Sequence, residues 1–240
     1  MNPMRSELIL NNEGRHGAAI YRRNFMKNED SNEMREVLME MMGSHWIAVK
    51  FHKTKPRGIK LSPAMTFCDA ASRAIGEPIL LKVSSIPCGG AKYAFNFPGT
   101  KAPVFGSFVP GRLNTLIDPK SSISGVPRLN FTPEYVSFNL SGYGADVYLS
   151  FMLLGSGNEI AQAWSAITGN KLNCKFTGVM SFCSEGTAGA LISKAPSLSL
   201  GCAKAIKIAG LQGQVCVCLS EKTAEIFARA WRNKTVMAAA

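Results

Sequence analysis

Residues 67–97 read FCDAASRAIGEPILLKVSSIPCGGAKYAFNF, and residues 182–211 read FCSEGTAGALISKAPSLSLGCAKAIKIAGL. Both stretches open with Phe-Cys, continue through small residues to a proline and an apolar run, and reach a second cysteine shortly before Ala-Lys. The first pair of cysteines is 20 positions apart and the second pair is 19 apart. An apolar strand-like run precedes each stretch, at 46–51 and at 147–154. This echo predicts an internally duplicated strand–helix unit, whose two copies pack about a pseudo-twofold axis.

Strand-like and helical patterns alternate through most of the remaining chain. Period-two and apolar runs predict strands at 46–51, 79–83, 135–140, 147–154 and 214–219. Helical spacing predicts helices at 29–42, 64–75, 159–168 and 221–232, the last with Ser220 at its cap position. Gly155-Ser156-Gly157 is interpreted as a turn that precedes the third helix. The alternation favours an α/β or mixed α+β layered fold in a single compact domain.

The predicted domain organisation follows from the duplication. Residues 1–28 form an N-terminal extension rich in Asn, Arg and Gly, and residues 235–240 form a C-terminal tail. Between them, 29–140 is the first half with one cysteine pair, and 141–234 is the second half with the other. A length of 240 residues is enough for one large domain, or for two small ones packed together, with a real core.

Equivalent positions of duplicated units face each other across their axis, which makes four cysteines candidate metal ligands: Cys68, Cys88, Cys183 and Cys202. Four thiolates suit an iron–sulfur cluster, [4Fe-4S] or [2Fe-2S], with zinc as the alternative. Spacings of 19 and 20 residues do not bring ligands together locally, so such a site depends entirely on tertiary structure. The competing interpretation is four small buried residues at tight strand–helix contacts.

The residues around these cysteines add candidates for cofactor binding. Gly89 and Gly90 would let backbone approach an anionic group closely, and Lys92 supplies positive charge beside them. Glu185 is an acid near the second cysteine pair, and it is either a general acid–base or a helix-end charge. Cys216 and Cys218 are two apart on a strand, so they share a face and are predicted to fill core.

Charge and composition restrict the class of protein. The net charge is +11, and one stretch is densely cationic: Lys50, Lys53, Lys55, Arg57 and Lys60, with His52 among them. That stretch is either a solvated loop or a docking surface for an acidic partner, and it lacks the interleaved aromatics of a nucleic-acid footprint. Because no apolar run reaches 18 residues and the N-terminus lacks signal-peptide features, we expect no membrane span, a cytoplasmic location and reduced thiols.

The cysteine-bearing stretches resemble the uncharacterised family called "domain of unknown function 169", found in anaerobic bacteria and archaea. The resemblance runs from about Trp46 to Trp231 and opens with the strand at 47–51. Its first half matches Cys68, Ala71, Gly76 and Cys88-Gly89-Gly90-Ala91, and its second half matches Cys183-Ser184-Glu185, Pro196, Ser199-Leu200 and Cys202. After Cys202 the chain departs from the family's Gly-Asp-Arg-like turn. The resemblance implies no activity, but it implies that the four cysteines belong to the family's pattern.

The sequence therefore predicts a cytosolic, cysteine-ligated cofactor protein. The favoured cofactor is an iron–sulfur cluster of the [4Fe-4S] type, acting in a redox or cofactor-handling component of an anaerobe with a redox partner protein or a small-molecule ligand. One alternative is a metal-free enzyme or binding protein that uses its thiols. A second alternative is a basic interaction protein that docks an acidic partner. The sequence does not decide whether the protein is an enzyme, or its oligomeric state.

Overall fold

A seven-stranded mixed sheet organises the chain into one α/β domain. The computed structural model describes residues 31–101, 127–169, 175–177, 181–201 and 213–238. The strands are β1 (Ile47–His52), β2 (Ile79–Lys82), β3 (Tyr135–Phe138), β4 (Val147–Leu153), β5 (Lys175–Thr177), β6 (Ser197–Ser199) and β7 (Gln214–Ser220). They lie in the order β2-β3-β1-β4-β7-β6-β5. Neighbouring strands are antiparallel, except that β5 runs parallel to β6 at one edge.

Helices cover both faces of the sheet. They are α1 (Ser31–Met42), α2 (Phe67–Arg73), α3 (Gly89–Ala94), α4 (Leu154–Ile167), α5 (Gly189–Ser193) and α6 (Glu221–Ala238), together with a 3₁₀ turn at Val83–Ser85 and a π-helix at Phe182–Ala188. The core on one face contains residues of α2, α3, α5 and the π-helix, and the core on the other face contains residues of α1, α4 and α6. In the described part of the chain, no helix has both the length and the apolar character needed to cross a bilayer.

Strand β1 shows how the sequence divides these two cores. Its residues Ile47, Val49 and Phe51 belong to the core under α2 and α3, whereas Ala48 belongs to the core under α1 and α6. This division follows from the period of two along a strand. The same period operates on β4 and β7, so the central strands are buried on both faces. The predicted strands 46–51, 79–83, 135–140, 147–154 and 214–219 are all confirmed to within two residues at either end.

The helix caps are set by local sequence. Thr66 accepts a hydrogen bond from the Asp69 amide at 3.1 Å and thereby caps α2. Ser220 accepts one from the Thr223 amide at 3.3 Å, as its predicted cap position requires. The α6 helix then begins at Glu221, where the sequence predicts it. These two caps fix the points at which α2 and α6 leave the sheet layer.

The predicted start of the α4 helix is wrong. The helix begins at Leu154 and includes Gly155-Ser156-Gly157, which the sequence pattern had assigned to a turn before residue 159. The reason is a close contact between α4 and the sheet. A Cβ atom at Gly157 would lie 2.7 Å from Val215 Cγ1 and 3.2 Å from Leu198 Cδ2. Glycine is therefore required here for helix–strand packing, despite its cost inside a helix.

Two glycines of the same helix give a matched test of this contact. We expect Gly157→Ala to lower the free energy of unfolding by about 1–2 kcal/mol, because overpacking against β7 outweighs the gain in helix propensity. We expect Gly155→Ala to raise it by up to about 1 kcal/mol, because no atom lies within 4 Å of a Cβ at that position. Urea denaturation measures both, and equal shifts of the same sign would contradict the proposed close contact.

Candidate functional site

The structure brings two of the four predicted ligand cysteines into one buried layer. Cys68 is the second residue of α2 and is 7% exposed, and Cys183 is the second residue of the π-helix and is 1% exposed. Both belong to the same core, between the sheet and the helices α2, α3 and α5. Cys88 precedes α3 and is only partly buried against this core. Cys202 lies outside the described residues, so the structure does not test the predicted set of four.

Two other cysteines lie in the same layer. Cys216 and Cys218 are 0% exposed on β7, buried in the core as predicted, and their sulfur atoms are 3.6 Å apart. Burial raises the pKa of the Cys216 thiol well above its usual range, with further increases from Cys218, Cys68 and Cys183. All four of these cysteines belong to the core on the same face of the sheet. We call Cys68, Cys183, Cys216 and Cys218 the thiol cluster.

Sequence reasoning identified only half of the thiol cluster. It placed Cys216 and Cys218 on one face of a strand, but the pattern Val-Cys-Val-Cys-Leu does not show which helices cover that face. The feature that distinguishes this face is the pairing register of β6 and β7. Cys216 and Cys218 pair with Ser199 and Ser197 of β6. A buried sheet surface of two thiols and two hydroxyls differs from ordinary core, because buried polar groups cost free energy unless they are paired.

The opposite end of the sheet shows the apolar counterpart of this surface. There β2 and β3 are paired as β6 and β7 are, and they contribute Ile79, Leu81, Val136 and Phe138 to the core on the same face. Large apolar residues therefore fill that region at one end of the sheet. Small polar residues and thiols fill it at the other end. The second arrangement places reactive groups where packing alone would favour apolar side chains.

The π-helix lies directly over the thiols of β7. The Thr187 hydroxyl donates to the Phe182 carbonyl at 2.7 Å, and the Ser181 hydroxyl accepts from the Ser184 amide at 3.1 Å at the start of the helix. A Cβ atom at Gly186 would be 2.9 Å from Cys218 Sγ, so the helix backbone approaches that sulfur closely. π-helical turns are rare and occur frequently at functional sites. Cys183 is held at the start of this helix by Ser181, with Sγ and Oγ 3.1 Å apart.

The predicted cofactor-binding residues beside Cys88 lie at the start of helix α3. Gly89 and Gly90 form the first turn of α3, and no atom lies within 4 Å of a Cβ at Gly89. Lys92 Nζ lies 5.6 Å from the centre of the Phe97 ring, a cation–π contact. Glu185 lies in the buried π-helix, where its carbonyl accepts a hydrogen bond from Ser197. Only Glu185 is therefore in the element that covers the thiol cluster.

The arrangement of potential ligands can be stated for the described part of the chain. There, no three or more His, Cys, Asp or Glu side chains are arranged to hold a metal ion. None of the five described cysteines forms a disulfide. The thiol cluster thus has the donor chemistry of a soft-metal site, with one sulfur pair at close range, but not a completed set of ligands.

The cationic stretch at 50–60 is divided by the fold. Lys50 forms an ion pair with Asp146 at 2.9 Å, and the same carboxylate accepts from the Phe51 amide at 2.7 Å. His52 Nε2 is hydrogen-bonded to Ser137 Oγ at 2.7 Å, and its ring contacts Tyr143 edge-on. The remaining cations are exposed: Lys53, Lys55, Arg57 and Lys60. The surface available to a partner is therefore smaller than the sequence indicated.

Comparison with known proteins places the chain in an uncharacterised group. The family model DUF169, described as "Uncharacterised ArCR", matches residues 41–219. The chain is also similar to "Uncharacterized protein MJ0308" of Methanocaldococcus jannaschii, with 25% identity over 209 residues that cover 78% of this chain and 88% of the relative. No solved structure matches. The family resemblance seen in the sequence is confirmed.

The half-buried position of His52 predicts that the stability of the fold depends on pH. Burial lowers the pKa of His52 below 6.5, outweighing the opposing effect of Asp146, and Lys50 lowers it further. The unfolded chain therefore binds this proton at a higher pH than the folded chain does. We expect stability to be complete above pH 6.5 and to fall as the pH drops towards the folded pKa.

His52→Gln should remove this part of the pH dependence. The measurement is the free energy of unfolding of both proteins between about pH 7.5 and 5, with the histidine titration followed by NMR. A folded His52 that titrates above 6.5, or parallel stability curves for the two proteins, would contradict the expectation.

Proposed function

This chain belongs to the DUF169 family, and we propose that it holds a metal cofactor through cysteine thiolates and acts as a redox or cofactor-handling component. One observation carries the proposal. Cys68 and Cys183, which are 115 positions apart in sequence, lie in the same buried core as Cys216. The sequence favours an iron–sulfur cluster of the [4Fe-4S] type, with zinc as the alternative. The bound cofactor would supply electron transfer if it is a cluster, or structural support if it is zinc.

A duplication of the strand–helix unit would support this proposal. The first half of the sheet has the order β2-β3-β1, and the second half has the order β4-β7-β6-β5. If the edge strand β5 is left aside, each half has its first strand at the centre of the sheet, its next strand farthest out and its last strand between them. A pseudo-twofold axis through the antiparallel β1–β4 pair would relate the halves. It would pair Cys68 with Cys183 and, by sequence, Cys88 with Cys202.

The protonation chemistry of the thiol cluster adds a free-energy cost that a bound metal would have to offset. A thiol must lose its proton before it binds a metal, and burial without a counter-charge opposes that loss, as the raised pKa of Cys216 shows. A bound cation would supply the counter-charge inside the core and would stabilise the thiolates. Because the same thiols are buried by the fold, the free energy of metal binding would add to the free energy of folding.

A metal-free thiol function is the second candidate, and the exposure of Cys88 favours it. Cys88 is partly exposed, while the thiol cluster is buried. A small molecule would therefore reach Cys88 first, with Gly89, Gly90 and Lys92 beside it. The exposed cations at 53–60 would serve either candidate by docking an acidic redox partner. A cytoplasmic location would keep all of these thiols reduced.

The test of the metal-bound proposal is metal and sulfide analysis of protein purified without oxygen. We expect bound iron with sulfide, or bound zinc without it. Cys68→Ala and Cys183→Ala should each lose most of the metal and lower the melting temperature, because both ligation and its stabilising effect are removed. Cys174 is the one cysteine of the sequence outside both repeated stretches and β7, so Cys174→Ala is the control and should retain the metal.

Two outcomes would contradict the proposal. One is a parent protein that contains no metal as purified, cannot be reconstituted with iron and sulfide or with zinc, and melts at the same temperature with and without chelator. The other is full metal content in both the Cys68→Ala and Cys183→Ala proteins. Either outcome would leave the metal-free thiol function ahead.

A further inference from the structure

We propose that a single-stranded nucleic acid docks on a surface formed by helix α3, the turn that follows it and the segment 127–133. Its bases would stack on aromatic and arginine side chains, and its phosphates would bind the cations beside them. We call this surface the aromatic–cation surface, and it consists of Lys92, Tyr93, Phe97, Arg128 and Phe131. The inference goes beyond the proposed function and uses none of the cysteines of the thiol cluster.

Hydrogen bonds join the two segments into one surface. The Leu129 amide donates to the Ala94 carbonyl at 2.8 Å, and the Thr132 hydroxyl donates to the Asn96 carbonyl at 2.9 Å. Leu129 is buried in the core, whereas Arg128 beside it is exposed and Phe131 is 37% exposed. The segment is therefore anchored by one apolar side chain and presents its neighbours to solvent next to the end of α3.

Two cations of this surface already lie against aromatic rings. Lys92 Nζ is 5.6 Å from the centre of the Phe97 ring, and Arg128 Cζ is 5.1 Å from the centre of the Tyr93 ring. Such contacts occur about once per 70–80 residues, so two of them on one small surface are a concentration. A guanidinium held against one ring keeps its second face and its N–H groups for a partner, and arginine planes stack on unpaired bases.

The charge of the surface has one sign. Residues 89–101 and 127–133 contain three cations, Lys92, Lys101 and Arg128, and no Asp or Glu. The next acid along the chain is Glu134, whose amide donates to the His52 carbonyl at 2.9 Å at the end of β1. Every nucleotide of a single strand offers both an anionic phosphate and a flat aromatic face, which is the combination that this surface complements.

The fold also links this surface to the cationic stretch at 50–60, which has no interleaved aromatic residues of its own in sequence. The Phe131 ring contacts the Phe51 ring edge-on, with 6.2 Å between the ring centres. Phe51 is the second-last residue of β1, and the exposed cations at 53–60 follow directly after that strand. A free nucleotide would use one ring and one cation. Rings and charges spread over this length suit several nucleotides of a strand.

The test is fluorescence anisotropy of labelled oligo(U) and oligo(dT), each about 12 nucleotides long, with the full chain. We expect the parent to bind at low salt, with a plot of log K against log salt that has a slope of about −2 or steeper. The reason is that each phosphate neutralised on a single strand contributes about −0.7 to that slope, and the surface carries three cations.

Two variants separate stacking from charge. We expect Tyr93→Leu to weaken binding at least about fivefold with an unchanged salt slope, because a lost stack costs about 1 kcal/mol or more per base. We expect Arg128→Gln to weaken binding by a similar factor and to make the slope shallower by about 0.7.

Arg229→Gln is the matched control, because it removes the same charge from an exposed arginine. Arg229 lies on α6, which covers the opposite face of the sheet, and its ion pair is with Glu225 one turn away. This variant should bind the oligonucleotides within about twofold of the parent, since a single distant charge changes a screened interaction only slightly. Circular dichroism of all three variants shows whether each is folded.

Competition experiments on the parent chain test the proposal without any variant. The competitors are UMP and dTMP, polyglutamate, and vesicles that contain phosphatidylserine. A parent that binds neither oligonucleotide at low salt, or that binds polyglutamate, vesicles or a free nucleotide as tightly as the strand, would overturn the inference. So would equal losses in the Arg128→Gln and Arg229→Gln proteins. None of these results depends on metal content, so they leave the proposed function to its own test.

Discussion

The antiparallel pairing of β1 with β4 is the contact on which the rest of the structure depends. It joins the two halves of the sheet, with Ala48 opposite Tyr148 and Val49 opposite Val147. Side chains reinforce it at both ends, because Asp146 binds Lys50 and the Phe51 amide, and Ser150 donates to the His45 carbonyl at 2.6 Å. Hydrogen bonds that join two halves at a buried centre cannot be replaced by water. The described helices, and the thiols of the described residues, are positioned relative to this pairing.

The buried polar surface of β6 and β7 carries a desolvation cost in folding free energy that an apolar surface would not have. Ser197, Ser199, Cys216 and Cys218 form a buried polar surface, and part of it is satisfied by the hydrogen bond from Ser197 to the Glu185 carbonyl. That bond joins β6 to the π-helix and so holds the helix against the sheet. Small side chains are also what allows the helix to approach, as the contact of Gly186 with Cys218 shows. The small side chains on β6 and β7 therefore allow the π-helix to approach the sheet and also place the thiols beneath it.

Much of the fold could be predicted because its determinants are local. The alternation along Ile47–His52 defines a strand, and Ser220 before an apolar-periodic segment defines a helix start. The start of α4 could not be predicted, because Gly155 and Gly157 look like turn residues until the valine on β7 that faces Gly157 is known. The π-helix was not predicted either, and one of its hydrogen bonds, from Ser184 to the Pro127 carbonyl, joins residues 57 positions apart.

Part of the candidate site could also be predicted from the sequence, and part could not. The repeated Phe-Cys pattern singled out Cys68 and Cys183, and both lie in the core on one face of the sheet. The neighbours of Cys216 and Cys218 were not predictable, because a strand's periodicity defines its two faces but not the element that covers each face. That assignment depends on strand order, which the sequence did not determine.

Because the β7 thiols are completely buried, their rate of chemical modification measures how often the domain opens locally. An alkylating reagent reacts with a thiol only when solvent reaches the sulfur, so Cys216 and Cys218 react only during moments when the π-helix separates from the sheet. The partly exposed Cys88 reacts without such an event and provides a reference rate in the same molecule. The ratio of the two rates therefore reports how often the interior of this domain becomes accessible while most of it stays folded.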